Sequence, residues 1–584
     1  MLDPYRMVFV NIIASSLVLT GILFYKFIYP KKKINLFALL LVISILPIIS
    51  IFRTGAYESG DFGIHVRRTM EFYSLISQGN LMPTWAADLN ATYGYPLFAF
   101  NYTLPYYIIS LFHLLGFSFI ASLKLFLASN FVLSGIFMYL FSKNYFKNTL
   151  SAFTVSIFYL FTPYHLISLH FKITIGEILA YTFTPLVFYF ASKFLGNKKF
   201  INLLLSGFSL GLVTLSHIVV GIFLIPVLCL YITFETKQFY KGVLYSLGII
   251  LVFLLTSMYQ WAAPLIYKPY LFITANPSDP SKAFYFPTIA DLLYSPWRFG
   301  LLFQGPKGEL SFLLGYAQLL TVLIIVFLLL KNRIKKEYKK IALLWIVLFF
   351  ATVFLITPQS IFIWRFLPVI NEVGSQRLLI LASFFTSLFA GYITIIYNKR
   401  KLIIYGMIVF AIGTTILNWG QRRVIPEIND SVLRENLAIG IKWGDEHFYA
   451  LPRWIDQKQL WFSKIPNSHL EILSGNATVK NLNRTSTNHQ YLINAKTPIS
   501  IRENTLYFPG WLLTSNGKFI STQIDKRGII TANLPAGLQK IELKYQDLFM
   551  FKLTKIISVI SVLIILLISF TYTLRHYLVS QRRK

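Results

Sequence analysis

Asp61, His65 and Arg68 are spaced i, i+4 and i+7. A helix over 60–72 therefore sets a carboxylate, an imidazole and a guanidinium on one face. That trio can bind a metal, clamp a phosphate, or take a proton from a hydroxyl. The bland alternative is a surface salt-bridge network capping the apolar run before it. Glu58, Arg67, Glu71 and Asp88 lie in the same stretch, Tyr57–Tyr107, between long apolar runs. Ionisable groups at a membrane surface are costly to desolvate and commonly mark a substrate path or an active site, so this stretch reads as the catalytic face. Trp85 and Tyr93 open an aromatic series that continues through Tyr95, Phe98, Phe100, Tyr102 and Tyr106. Aromatic rings anchor proteins at membrane interfaces, and they also stack on the C–H faces of sugars. Their density alone fits both roles.

Other polar groups can converge on the same face. Lys172 and Glu177 bracket the start of a later apolar run, where a carboxylate is also favoured simply by the helix dipole. Arg298 lies in Ser295-Pro-Trp-Arg-Phe-Gly300, and Arg365 and Arg377 flank the segment 358–375. Arginine suits phosphate because it offers paired donors. His217 reads first as a satisfied core histidine. The chain has no His/Cys metal spacing, Walker loop, GxGxxG or nucleophile elbow, which argues against an ATP-driven pump or a nucleotide-sugar enzyme.

The elements that must position these groups are membrane helices. Of the 584 residues, 55% are hydrophobic and only 13% charged, against roughly 25% charged in an average soluble chain. Apolar runs long enough to cross a hydrocarbon core recur near 7–28, 34–52, 119–141, 149–164, 177–195, 200–217, 218–234, 242–260, 313–330, 341–357, 376–397, 402–418 and 551–574. In lipid such runs must be helices. Every second connection is basic, and these seven segments hold 24 Lys or Arg against two acids, Glu235 and Glu337. They account for +22 of the net +31 charge and are placed in the cytoplasm by the positive-inside rule. The high charge thus reports topology, and no basic stripe interleaved with stacking aromatics points to a nucleic-acid partner. The first run leads straight into Lys31–Lys33 and reads as a retained helix rather than a signal peptide.

The same alternation puts 53–118, 261–312 and 419–550 on the outer side of a cell (plasma) membrane. Residues 104–117 are apolar but short, and fit a re-entrant or interfacial helix. Residues 200–234 read either as two helices or as one bent at His217. In 419–550, the runs Ile499–Arg502, Phe519–Gln523, Gly528–Ala532 and Leu538–Tyr545 are separated by Asn-Gly, Arg-Gly and Ala-Gly turns, the pattern of an antiparallel sheet or small sandwich. The single cysteine, Cys229, lies within an expected span, so the outer domain has no disulfide. The fold class expected is a polytopic α-helical membrane protein of about thirteen transmembrane helices with a C-terminal extracytoplasmic β-rich domain. Its parts are a membrane domain over 1–418, the β-rich domain over 419–550, and a last helix with a basic tail over 551–584.

Several ordered motifs carry a family resemblance. Asp61-x-x-x-His65 is followed by Gly79-Asn-Leu-Met-Pro83-x-Trp85 and Tyr93-Gly-Tyr-Pro96-Leu-Phe-x-Phe100. Then come Gly176-Glu177, Leu215-Ser-His217, Ser295-Pro-Trp297, Ser311-Phe-x-x-Gly315 and Gln376-Arg377. Together they resemble a bacterial GT-C-like family labelled "6-pyruvoyl-tetrahydropterin synthase-related" membrane proteins. Tyr507-Phe-Pro-Gly-Trp511, Asn516-Gly517 and Leu534-Pro-x-Gly537 resemble the C-terminal region of these proteins and of membrane proteins that glycosylate cell-wall polymers.

The resemblance implies a GT-C-type glycosyltransferase that takes a sugar from a polyprenyl-phosphate donor at the outer membrane face. A glycan, lipid or protein would be the acceptor. It maps the essential acid of such enzymes onto Asp61. The site set expected is Asp61, His65 and Glu177 in catalysis, with Arg68, Trp85, Asp88, Tyr93, Lys172, Arg298 and Arg377 binding substrate. Many GT-C enzymes carry paired acids in this loop, whereas here Asp61 follows Gly60 and the nearest other acid is Glu58. Dependence on a divalent cation, Mg or Mn, is left open. The competing readings are a transporter or flippase of lipid-linked sugars, and a non-catalytic scaffold with a glycan-binding β-domain.

Overall fold

The computed structural model describes residues 3–272, 286–305, 307–366, 374–420, 423–435, 450–455 and 465–581. Parts of the expected outer segments 261–312, 358–375 and 419–550, and the last three residues of the basic tail, lie outside the described residues.

Each of the thirteen expected spans is helical. Among the described residues, nine helices are long and apolar enough to cross a membrane by themselves. A tenth crossing is broken: Thr149–Leu160 and Pro163–Lys172 meet at a 49° bend. Pro163 has no N–H to continue the first helix and instead starts the next one, where its fixed φ is suitable. The remaining three, Leu36–Phe52, Phe200–Ser216 and Tyr316–Leu330, are apolar but shorter. The run at 104–117 forms a helix of only 11 residues, Leu104–Leu114, about 16 Å long and unable to cross. It buries Tyr106 and Ile109 and exposes Leu111 and Leu114, the two-faced pattern of an interfacial helix.

Residues 200–234 resolve into two helices, Phe200–Ser216 and Ile218–Thr236, with His217 extended between them. Gly221 lies so close to Thr214 that a Cβ would not fit, which allows the sharp reversal. The helix Leu379–Ile396 is buried along nearly its whole length and forms the centre of the bundle. Large apolar side chains such as Leu247, Leu251, Leu323, Phe327, Leu563 and Leu567 are exposed on outer helices, as lipid contact requires.

The strands of the C-terminal region run from Leu470 to Tyr545 in two antiparallel sheets. One orders Leu470–Ser474, Ile499–Leu506, Ile529–Leu534 and Gln523–Ile524; the other orders Ala477–Thr485, Asn488–Ala495, Gly537–Tyr545, Trp511–Ser515 and Lys518–Ile520. Ile493, Ile501, Leu513, Ile530, Ile541 and Leu543 from both sheets share one core, so this is a sandwich. The run Phe519–Gln523, expected as one strand, is a corner. The chain leaves one sheet at Ile520 and enters the other at Gln523.

Of the described residues before the first strand, 419–420 and 423–435 join the membrane-side body, whereas Ser468 and His469 pack on the sandwich, their carbonyls accepting from Asn504 (2.7 Å each). Val424–Ile425 pairs with Ala56–Tyr57, and the Asp430 carboxylate accepts the Phe119 and Ile120 N–H groups (2.7 and 3.1 Å) at the start of the helix Phe119–Phe146. The sandwich docks on the first outer stretch through rings. Trp85 meets Trp511 edge-on at 5.3 Å and lies 5.6 Å from Tyr545. The helix Phe549–Gln581 is tied to the same stretch by Lys555, whose ammonium donates to Asp547, Thr84 and the Met82 carbonyl.

Candidate functional site

The helix Phe62–Ser77 begins immediately after Asp61. An aspartate at this position normally caps the helix with its own carboxylate. Here the Ser59 hydroxyl accepts the Phe62 N–H (3.2 Å), and the Asp61 carboxylate takes no part in capping. The backbone fixes its place instead. Gly60 N–H donates to the Phe171 carbonyl (3.2 Å) and Asp61 N–H to the Lys172 carbonyl (3.1 Å). The segment it leans on, Ser168–Lys172, is a π-helical turn, followed by Ile173 with φ +57°. A β-branched residue in the left-handed region is rare and strained, and such geometry concentrates at functional sites.

That break turns Lys172 back toward Glu177, five residues on. The Lys172 ammonium lies 3.1 Å from both Glu177 oxygens and 3.2 Å from the Tyr164 hydroxyl. Tyr164 donates to Glu177 Oε2 at 2.5 Å. The Arg377 Nε–H is shared between Glu177 Oε1 (3.2 Å) and His217 Nε2 (3.1 Å). Glu177 is only 2% exposed, and its carboxylate is fully engaged by these partners rather than by the helix end. The terminal amino groups of Arg377, by contrast, have no hydrogen-bond partner among the described residues, and the side chain is 24% exposed.

Asp61 faces this cluster. Its carboxyl is held above the ordinary carboxylate range because burial outweighs the cations that act on it, Arg68, Lys172 and Arg377, and because Glu177 adds like charge. Asp61 nevertheless keeps partial exposure. His65, one turn along, is buried, and burial beside Arg68 drives its pKa well below the free value, so it is neutral. Its Nδ1 meets the Tyr106 hydroxyl at 3.1 Å, which also accepts from Asn101 (3.3 Å). Tyr102 stacks between Tyr106 and His217, with centroids 6.2 Å from each, and lies over Gly176, where a Cβ would collide with its ring.

Of the expected site residues, Asp61, Arg68, Lys172, Glu177 and Arg377 form one electrostatic cluster, with His65 beside it. Arg68 and His65 are buried, 2% exposed each, so the trio is not a solvent-exposed salt-bridge network. The structure puts the others elsewhere. Trp85 is 1% exposed in the joint with the sandwich. The Asp88 N–H donates to Glu71, and the Tyr93 carbonyl accepts from Leu506 of the sandwich (2.9 Å). Arg298 is exposed in a short turn and is not among the cations that act on Asp61.

Tyr164 and Asn101 belong to the cluster without having been singled out, and Tyr102 and Tyr106, read only as members of the aromatic series, belong to it too. Tyr164 reaches Glu177 only across the π-turn, where no regular period connects them. His217, read first as a core residue, is the partner of Arg377.

The donor set also bears on a divalent cation. Among the described residues no three His, Cys, Asp or Glu converge. Glu177 has both oxygens occupied, and Glu58 is exposed on the ladder edge and is not among the groups that act on Asp61. These residues do not fit a metal centre.

Comparison with known proteins adds four findings. A protein of Lactococcus lactis subsp. cremoris is 26% identical over 210 residues, 35% of this chain and 34% of the relative, so the match spans about a third of that relative's length. The apo oligosaccharyltransferase of Archaeoglobus fulgidus aligns at 11% identity and TM-score 0.37, over 66% of this chain and 55% of that one. The oligosaccharyltransferase AglB of Archaeoglobus fulgidus, in complex with an inhibitory peptide and a dolichol-phosphate, aligns at 13% identity and TM-score 0.37, over 74% of this chain and 57% of that one. At that level of likeness neither residue roles nor chemistry carry over. Residues 98–425, more than half of the chain, match a family described as "6-pyruvoyl-tetrahydropterin synthase related domain; membrane protein", and the chain belongs to that family of membrane proteins.

Proposed function

We propose that this protein is a membrane glycosyltransferase that moves a sugar from a polyprenyl-phosphate donor to a glycan, lipid or protein acceptor at the outer membrane face. The observation that carries the reading is Asp61. It is a carboxylate withheld from capping, partly exposed, and set among three cations where apolar helices end. Transfer needs a base for the acceptor hydroxyl and positive charge for the departing phosphate. Asp61 takes the hydroxyl proton, a role that contributes roughly 10²–10⁴-fold. Its raised pKa makes the carboxylate a stronger base than a free aspartate.

The open guanidinium fork of Arg377 matches a phosphate with paired donors. Glu177 and His217 hold that fork by its Nε, and Lys172 and Tyr164 hold Glu177, so these four are positioning groups. His65 is neutral and orients through Tyr106. Trp85 and Tyr93 act by docking the sandwich rather than by touching sugar. The outer sidedness follows from the seven basic connections.

The test is purified protein in vesicles supplied with polyprenyl-phosphate sugars and a panel of acceptors, following both lipid phosphate and glycosylated product. Appearance of both supports transfer. Movement of intact lipid-linked sugar between leaflets with no lipid phosphate released would make the protein a transporter.

A further inference from the structure

We infer that Tyr102 is a positioning residue, whose ring joins the Asp61 side of the site to the Arg377 side and sets the distance between them. The inference rests on the proposed function for the roles of those two groups, a base and a phosphate clamp. Asp61 and His65 are carried by the first outer stretch, whereas His217 and Arg377 come from the ends of later membrane helices. Their separation is therefore fixed by contacts between distant segments. Tyr102 makes such contacts on both sides. Its ring centroid lies 6.2 Å from that of His217, which accepts the Arg377 Nε–H, and 6.4 Å from that of His65. It also stacks at 6.2 Å and 15° on Tyr106, whose hydroxyl meets His65.

The ring is not free to give way. The backbone that carries it is tied on each flank. The Asn101 carbonyl accepts from the Gln260 amide (3.4 Å), and the Thr103 and Tyr259 hydroxyls meet at 2.6 Å. The ring presses on Gly176, the residue before Glu177 in the first turn of the helix Ile175–Asn197. A Cβ at 176 would stand 2.6 Å from the Tyr102 ring and 2.6 Å from the Ser216 carbonyl, next to His217. Glycine is needed here for close approach and not for a left-handed backbone. Packing this close has few voids to absorb a shift, so a displaced ring is felt at both ends. A misplacement of about 1 Å in a site can cost about 10²-fold in rate.

The first test does not depend on turnover. Full-length protein is prepared with isotope-labelled histidine, and the His65 resonance is assigned with His65→Gln. Gly176→Ala should move that resonance, although the change is made on another helix. In a Tyr102→Leu background the same substitution should leave it in place. A His65 resonance that ignores Gly176→Ala, or that responds equally without the ring, overturns the inference.

Transfer is then followed in single turnover, with donor binding in parallel. Tyr102→Leu should lower the rate by about 10-fold or more while donor binding changes by less than about threefold. Tyr102→Phe, which keeps the ring, should stay within about threefold of wild type in both. A ring that only fills space would lower the thermal midpoint and leave the rate of the folded protein unchanged, and that result overturns the inference. Were wild type to transfer from no donor, the glycosyltransferase reading would fail, and the His65 response would still decide whether Tyr102 couples the two sides.

Discussion

Asp61 and Glu177 are both acids in one cluster, yet their surroundings give them opposite properties. Burial raises the Asp61 carboxyl despite its cations, so the folded protein binds that proton more tightly than the unfolded chain does. Above the free aspartate range, the ionised group therefore costs stability. Asp61→Asn is expected to lose transfer by at least about 10²-fold while its thermal midpoint stays equal or rises. Thermal unfolding beside the transfer assay checks this, and a lowered midpoint would recast Asp61 as structural. Transfer in the wild type should fall on the acid side as the raised Asp61 carboxyl protonates. Glu177 is the contrast, since it is bonded to Lys172, Arg377 and Tyr164. Glu177→Gln leaves the half-buried Lys172 and Arg377 without their counter-charge, and a loss of about 1–3 kcal/mol in unfolding free energy is expected.

The helix Phe62–Ser77 connects the Asp61 end of the site to the sandwich. Glu71, two and a half turns along, accepts the Ala87 N–H (2.6 Å) and the Asp88 N–H (3.3 Å), while its second oxygen is buried without a partner among the described residues. Burial and the Asp88 charge push its pKa up to about 8. The folded state then keeps a proton that the unfolded chain releases above about pH 4.3. This group's contribution makes stability fall as pH rises from there to about 8 and then level off. Glu71→Gln should remove that slope, seen as thermal midpoints that diverge from wild type with rising pH; parallel curves would contradict it. Trp85 belongs to the same scale. Trp85→Ala empties a joint packed against Trp511 and Tyr545 and should cost about 3–5 kcal/mol, read by chemical unfolding.

At the scale of the whole molecule, the crossings were legible because lipid leaves the backbone one economical solution, and hydropathy with lysine placement reports it directly. The short helix Leu104–Leu114 was legible for the same reason, by being too short. The Asp61, His65, Arg68 face followed from helical periodicity. What periodicity could not supply is contact across a break. Tyr164 joins Glu177 through a π-turn, and Phe519–Gln523 looks like one strand although it crosses between sheets. Trp85 and Tyr93 looked like sugar-stacking rings because a docking partner more than 400 residues away is invisible to local pattern.

Two polar contacts lie at opposite ends of the bundle. Lys172, Glu177, His217 and Arg377 meet at one end. Tyr145 and Tyr392, beside two of the basic connections, meet through their hydroxyls at 2.6 Å at the other.

The central claim is that sugar transfer takes place at Asp61. It is tested most directly by single-turnover transfer with wild type and Asp61→Asn, both saturated with the same polyprenyl-phosphate sugar and acceptor, with donor binding measured in parallel. The account predicts unchanged donor binding and a transfer rate lower by at least about 10²-fold in the variant. Equal rates from the two proteins would contradict it.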